Sequence, residues 1–394
     1  MMDSWERVQM AFAHREPDRV PIWELTIDPP ISTQILGREP IYRNKRLEQE
    51  LLIQGDRDSL VFAALDDAIE LYRSLELDIL PVELCPPTQV REVLPEGNYY
   101  PPERLEEGVY RIPLAGDQWR IIRYDPKANF LSEVDSSIKR RGLPAFQKHV
   151  VALEAQNPVV ETSQLDGIRY AQERVGNEMV ILERDIDIAF PSGATWMDRF
   201  LMWMITEPGW VHRWIEVQLR QELVKIETVG RLGVKFALGG VDFAYNRGPF
   251  FSPTHFQTFY GPVLKELTEV CHRHGIAFIK HSDGNINPIL ETIVEAGVDG
   301  LHAIEPRAGM DIGALKERYR DRLTLCGNVD CGLTLCEGSE DEVRQSVREI
   351  IRAAAPGGGF TLTSSNTIHA GVKPENYLAM LDEARSFGRY PIAV

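Results

Sequence analysis

From residue 236 to the C-terminus, short apolar runs alternate with longer stretches of helical period. The runs FALGGVDF (236–243), IAFIKHSD (276–283), VDGLHAIE (298–305), LTLCGNVD (323–330) and GFTLTSSN (359–366) each start apolar and end polar. Amphipathic segments follow them at 253–274, 287–296, 312–319, 340–355 and 374–387. A run apolar on both faces predicts a buried parallel strand, and a 3.6-residue period predicts the helix that covers it. The first half of the chain offers three more such strands, at 20–25, 77–84 and 178–184. Helical spacing marks 4–13, 43–73, 144–155, 162–175, a Trp- and Met-rich block at 197–214, and 214–232. Residues 92–124 break the rhythm, since GVYRIPL and DQWRIIRYD alternate in polarity between Gly, Pro and Asn, the pattern of antiparallel hairpins. Strands alternating with helices predict an α/β fold, a (β/α)8 TIM barrel. No linker divides the chain, so 1–394 is read as one domain with a hairpin insertion at about 92–124.

In such a barrel the functional side chains gather where strands end, at the C-terminal mouth. The strand ends here carry Glu24, Glu83, Glu183, Asp242, His281 with Asp283, His302 with Glu305, Asp330, and Asn366 with His369. His281 and Asp283 are two apart, so an extended backbone points both to one side. An imidazole and a carboxylate sharing a face can hold a cation or move a proton, and a set of Asp, Glu and His with few thiols suits zinc or another borderline ion. Other readings stay open residue by residue. Glu24, Glu83 and Asp330 also suit helix caps or arginine pairs, His302 a core histidine between apolar neighbours, and Asp242 a turn before NRGPFFSP. Cys331 is the cysteine nearest the mouth, and Cys326 lies in an apolar strand where a thiol is inert. No GxSxG, P-loop or dinucleotide fingerprint occurs.

Composition narrows the partners. A net charge of −16 argues against nucleic acid, whose phosphates need a basic face. No apolar run approaches the roughly 18 residues of a membrane span. The first residues, MMDSWERVQMAFAHRE, are too charged for a secretory signal, and the five cysteines are widely spaced without a CxxC pair. Reduced thiols and a cytoplasmic location are expected.

The segments REPDRVPIWE, NRGPFFSP, HSDGNINPIL, EAGVDGLHAIEPRAGMD and GVKPENY, in this order, are together similar to the uroporphyrinogen decarboxylase superfamily. The resemblance implies a (β/α)8 barrel and two branches: porphyrinogen decarboxylases, and methyltransferases that work with methyl-corrinoid proteins. The decarboxylases grip a polycarboxylate substrate with an arginine-rich RQAGR-type motif after the first strand. Here that stretch is WELTIDPPIS (23–32), with two acids before the prolines and no arginine, so carboxylates would meet repulsion. Thiol-methylating members hold zinc with a His-x-Cys pair on the fifth strand and a Cys on the eighth. The matching positions are His281, Asp283 and, in a looser alignment, Asn366. Oxygen ligands replace both thiolates, which suits Lewis-acid work on an ether or amine better than thiol activation.

The resemblance therefore implies a methyltransferase moving a methyl group between a small O- or N-methylated substrate, or a one-carbon carrier, and a corrinoid protein. His281, Asp283, Glu183 and Asp242 are the expected catalytic groups, with His281 or Glu183 as a general acid. Trp23, Glu24, Glu83, Asn328 and Asn366 are the expected substrate contacts, and His281, Asp283 and Asn366 the expected zinc ligands. Cobalamin would be carried by the partner, docked on a rim formed by Tyr99, Tyr110 and Trp119, and the protein itself would be a monomer or homodimer. The alternatives are a decarboxylase of a porphyrinogen or smaller carboxylic acid, and a non-catalytic ligand-binding barrel.

Overall fold

The computed structural model describes residues 2–88 and 101–393. Seven parallel strands follow one another round a single sheet: β2 (Ile79–Val82), β3 (Val180–Glu183), β4 (Phe236–Gly239), β5 (Ala277–His281), β6 (Gly300–His302), β7 (Thr324–Val329) and β8 (Phe360–Ser364). Residues 22–27, here β1, close the ring. Ile22 pairs in parallel with Leu362 of β8 and Trp23 with Ile79 of β2. The Trp23 amide donates to the Leu362 carbonyl at 3.1 Å, and the Asp78 amide to the Ile22 carbonyl at 2.8 Å. The eight-stave barrel and its helical coat are as the apolar runs imply.

Both faces of every stave are buried, and two apolar layers result. Trp23, Ile79, Val180, Leu182, Phe236, Leu238, Ile279 and Cys326 fill the lumen, with Val8 of the N-terminal helix (Ser4–Phe12) plugging its lower end. Residues of opposite parity, such as Ile22, Leu80, Ile181, Ala237, Phe278, Leu301 and Leu325, pack outward against the helices. Helix Glu340–Ala354 shows the coat's logic. Ser339 and Glu342 form a capping box at its start, and Val343, Val347 and Ile351 repeat every fourth residue on its buried side. Each such side chain withdrawn from water is worth roughly 1.5–3 kcal/mol before entropy is subtracted.

The insertion is larger than expected. Four antiparallel strands, Glu103–Glu106, Val109–Leu114, Gln118–Asp125 and Phe130–Ser136, form one sheet, so it runs to Ser136 rather than 124. Part of its expected start, with Tyr99, lies outside the described residues. The expected helix at 43–73 is interrupted: Lys45–Gln54 ends on left-handed Gly55, and a π turn at Ser59–Ala63 precedes helix Ala64–Ser74. Among the described residues no helix is long and apolar enough to cross a membrane.

Candidate metal centre at the barrel mouth

Parity along the staves decides which strand-end residues face the mouth. Ile279 lies in the lumen, so His281 and Asp283 follow it on the same side. Phe236 and Leu238 set the same parity for Asp242, and Cys326 sets it for Asn328. The chain must turn sharply after Asp283, and Gly284 permits it with φ +82. A Cβ there would meet the Ala244 carbonyl carbon and the Tyr245 nitrogen at 2.6 Å, so only glycine fits.

Asp242, His281 and Asp283 converge, each offering one ligand atom within 4.8 Å of the others. His281 Nε2 lies 3.6 Å from Asp242 Oδ1 and 3.7 Å from Asp283 Oδ1. The other imidazole nitrogen, Nδ1, is 2.7 Å from Nδ1 of buried His302, so one ring donates to the other. Asp242 Oδ1 accepts the Asp283 backbone N–H at 2.8 Å, and Asn366 Nδ2 donates to Asp283 Oδ2. Glu305 accepts the Gly284 N–H at 2.9 Å beneath them.

Burial governs the charges. Withdrawal from water, then the neighbouring Asp242 and Glu305, push the Asp283 carboxyl up to about 8. Burial also raises Asp242. Burial, and then the ammonium of Lys280, lower His281 to about 3, so its ring stays neutral across the working pH range. Lys280 itself points outward, fully buried. It is held by Asp187 Oδ2 at 2.7 Å and by the carbonyls of Val241 at 2.8 Å and His281 at 2.6 Å. That pair ties the segment after β3 to the exits of β4 and β5.

The three donors fit a divalent cation. Ligands about 2.0–2.2 Å from zinc at tetrahedral angles sit about 3.4 Å apart, close to the 3.6 and 3.7 Å here. Asp283 Oδ1 is buried and has no hydrogen-bond partner, and an acceptor left so costs free energy unless something binds it. The His302 contact occupies His281 Nδ1 and leaves Nε2 as the nitrogen that would face an ion. One nitrogen and two carboxylates form a harder set than thiolates would. Asn366, expected as a ligand, instead spends its Nδ2 on Asp283 and its Oδ1 on the Thr367 amide, and Asp242 occupies the third position.

Other expected site residues lie elsewhere. Glu183 has the parity of Ile181 and faces the helical coat, fully buried; its carboxylate accepts the Asp185 N–H at 3.1 Å. Glu24 likewise faces outward, where Ser364 donates Oγ–H at 2.6 Å and N–H at 3.2 Å, and burial pushes its carboxyl up to about 8. Trp23 faces inward but is sealed in the lumen, its Nε1 donating to Thr361 Oγ1 at 2.9 Å. These three cannot reach a substrate in the mouth. Asn328 is buried there, donating to the Ile304 carbonyl at 3.0 Å, with its Oδ1 left without a partner. Glu83 remains on the rim, paired with Arg184 at 2.9 Å. Cys331 is buried and pushed up to about 12, which leaves it a thiol. Of the expected docking rim, Tyr110 is wholly buried with its hydroxyl on Glu50 at 2.9 Å, whereas Trp119 lies under Arg111 and Arg140 at 5.3 and 5.2 Å.

Beside the mouth, at the ends of β2 and β3, a cavity of about 390 Å³ opens. It is lined by charged residues that strand-end reasoning passed over, among them Arg43, Lys45 and Arg184. Arg184 has the lumen parity of Leu182.

Residues 192–387, which include the whole Asp242–His281–Asp283 cluster, match the family model for uroporphyrinogen decarboxylase (URO-D). A curated uroporphyrinogen decarboxylase from Thioalkalivibrio sulfidiphilus (strain HL-EbGR7) is 32% identical over 103 residues, 25% of this chain and 27% of that protein. The chain thus matches about a quarter of that curated relative's length. A solved methyltransferase from Methanosarcina mazei superposes over 98% of this chain and 99% of its own with a TM-score of 0.63, at 18% identity. At that identity the likeness is one of fold.

Proposed function

Since the chain belongs to the uroporphyrinogen decarboxylase superfamily of enzymes, we infer that it is a methyltransferase, moving a methyl group between a small O- or N-methylated substrate, or a one-carbon carrier, and a corrinoid protein. The observation that carries this reading is the Asp242–His281–Asp283 cluster with its unpartnered Asp283 Oδ1. The full-length counterpart named a methyltransferase agrees with it. The end of β1 counts against a polycarboxylate substrate. It carries no arginine, and its Asp28 is buried and already engages Arg43 at 2.7 Å.

A zinc ion held by Asp242, His281 and Asp283 would supply Lewis-acid polarisation of the atom that the methyl group leaves. The chain's own residues do the rest. His302 orients His281 through its Nδ1, and with the His281 Nδ1–H as the donor of that bond the neutral ring would present Nε2 as a lone pair. The Asp283 N–H and Asn366 hold the two carboxylates in register. The paired Lys280 and Asp187 fix the backbone that carries Asp242 and His281, so the donor atoms keep their spacing.

A decarboxylase is the second reading, favoured by Asp283. A carboxyl raised to about 8 is protonated at neutral pH and can deliver a proton to a carbanion. The two are separated by incubating the protein with a reduced corrinoid protein and a panel of methoxy and methylamine compounds. Conversion of the Co(I) spectrum to that of methyl-corrinoid, lost in Asp283→Ala, supports methyl transfer. Release of carbon dioxide from a carboxylic acid with no corrinoid methylation refutes it.

A further inference from the structure

The cavity beside the mouth has a chemistry that the metal cluster does not use. Part of its wall is apolar, from Leu52, Leu60, Val61, Leu65, Pro81 and Leu84, with Leu60 and Val61 contributed by the π turn, and Glu48, Glu83 and Asp185 add carboxylates to the lining. Three cations also line it: Arg43, Lys45 and Arg184. Two of them are matched, Arg43 Nε by Asp28 Oδ1 at 2.7 Å and Arg184 Nη2 by Glu83 Oε2 at 2.9 Å. Lys45 is not. Among the described residues its ammonium has no ion pair and no hydrogen bond, and Glu48, one turn along the same helix, lies beyond ion-pair distance. Gln49 Oε1, on the same wall, is buried without a partner. A half-buried ammonium that feels two guanidinium charges is costly until an anion joins it. Burial, and then Arg43, already push Lys45 down to about 8.

We propose that this cavity binds a small carboxylate on a compact apolar body, its carboxylate on the Lys45 ammonium and its body against the leucine and proline walls. A volume of about 390 Å³ lies at the small end of small-molecule sites, which run from about 300 to 1,000 Å³. The inference deepens the methyl-transfer reading and rests on it for its meaning: the methylated substrate is an acid, anchored here and presented to the neighbouring mouth. Apolar walls distinguish such a ligand from inorganic phosphate, which the same cations would also attract. Gln49 Oε1 would accept a hydrogen bond from a donor on the ligand.

The test is calorimetric titration of the metal-free full-length protein at pH 7 with benzoate and hexanoate. Methyl benzoate serves as the uncharged comparison and inorganic phosphate as the bare anion. We expect saturable binding of the two carboxylates, with methyl benzoate and phosphate weaker by tenfold or more. Lys45→Met should weaken carboxylate binding at least tenfold, Lys45→Arg should restore most of it, and Lys148→Met, at an exposed lysine paired with Asp117 outside the cavity, should leave it unchanged. Circular dichroism of Lys45→Met guards against misfolding. Absent carboxylate binding, equal binding by Lys45→Met, or phosphate binding as tightly as benzoate would overturn the proposal. No metal or corrinoid is present, so failure here is distinct from failure of the methyl-transfer assay.

Discussion

Replacing Glu24 with Gln isolates one buried carboxyl whose cost the structure allows to be worked out. Glu24 is wholly enclosed between β8 and the helical coat and is raised from 4.5 to about 8 by desolvation, only partly offset by the Ser364 hydrogen bonds. Its folded pKa lies above its unfolded one, so between pH 4.5 and 8 the native state holds a proton that the unfolded chain has lost. Stability from this group is therefore complete below about pH 4.5 and falls as pH rises, by about 1.4 kcal/mol per unit. The whole window is worth about 5 kcal/mol as an upper limit. Glutamine keeps the acceptor for Ser364 and has nothing to ionise. Urea unfolding of both proteins from pH 5.5 to 9 should show the variant gaining on the wild type by about 2–3 kcal/mol between pH 6 and 8, then levelling off. Methyl transfer should survive, because Glu24 faces away from the mouth. A difference in stability that stays flat over this range would refute the reasoning, and loss of activity with the fold intact would return Glu24 to the site.

Other expectations follow from the same geometry. His302→Gln removes the hydrogen bond that fixes the His281 ring, and should weaken zinc binding by about 10–100-fold in a competition assay while the unfolding midpoint moves little. Lys280→Met strands the buried Asp187 carboxylate and should cost about 3–5 kcal/mol in urea unfolding at pH 8. The cost should be less at pH 5, because burial raises Asp187 and favours its protonation; an equal loss at both pH values would contradict this. Zinc must displace the proton from Asp283, so affinity should rise by up to about tenfold per unit from pH 6 to pH 8 and then flatten. Titrations at each pH that gave one constant would exclude Asp283 as a ligand.

The barrel was legible because strands buried on both faces leave continuous apolar runs, and the helices between them carry their own period. The same property hid the parity of each strand. With Val180, Ile181 and Leu182 all apolar, nothing local says that Glu183 follows Ile181 outward while Arg184 follows Leu182 inward. Glu24 and Ser364 were obscured in the same way. His281 and Asp283 escaped the difficulty because two residues two apart share a face whichever face it is. Their contacts with Asp242, His302 and Asn366 come from other staves, and only closure of the barrel brings them together. The last strand of the insertion, FLSEVDS, lacks clean alternation of apolar and polar residues and is mostly half-buried, so its sequence carries little strand signal. Lys45 sits inside an ordinary polar helix start, and its isolation becomes visible only when Asp28 and Glu83 are seen to be taken by arginines.

Asp242, His281 and Asp283 are proposed to form one metal site at the mouth of this barrel. Titrating the metal-stripped protein with zinc at pH 8, alongside His281→Ala and Asp283→Ala, tests it most directly. One zinc per chain is expected in the wild type, with loss of that binding in each variant and the fold unchanged by circular dichroism. Absence of stoichiometric binding in the wild type, or a site that persists when His281 and Asp283 are both removed, would contradict it.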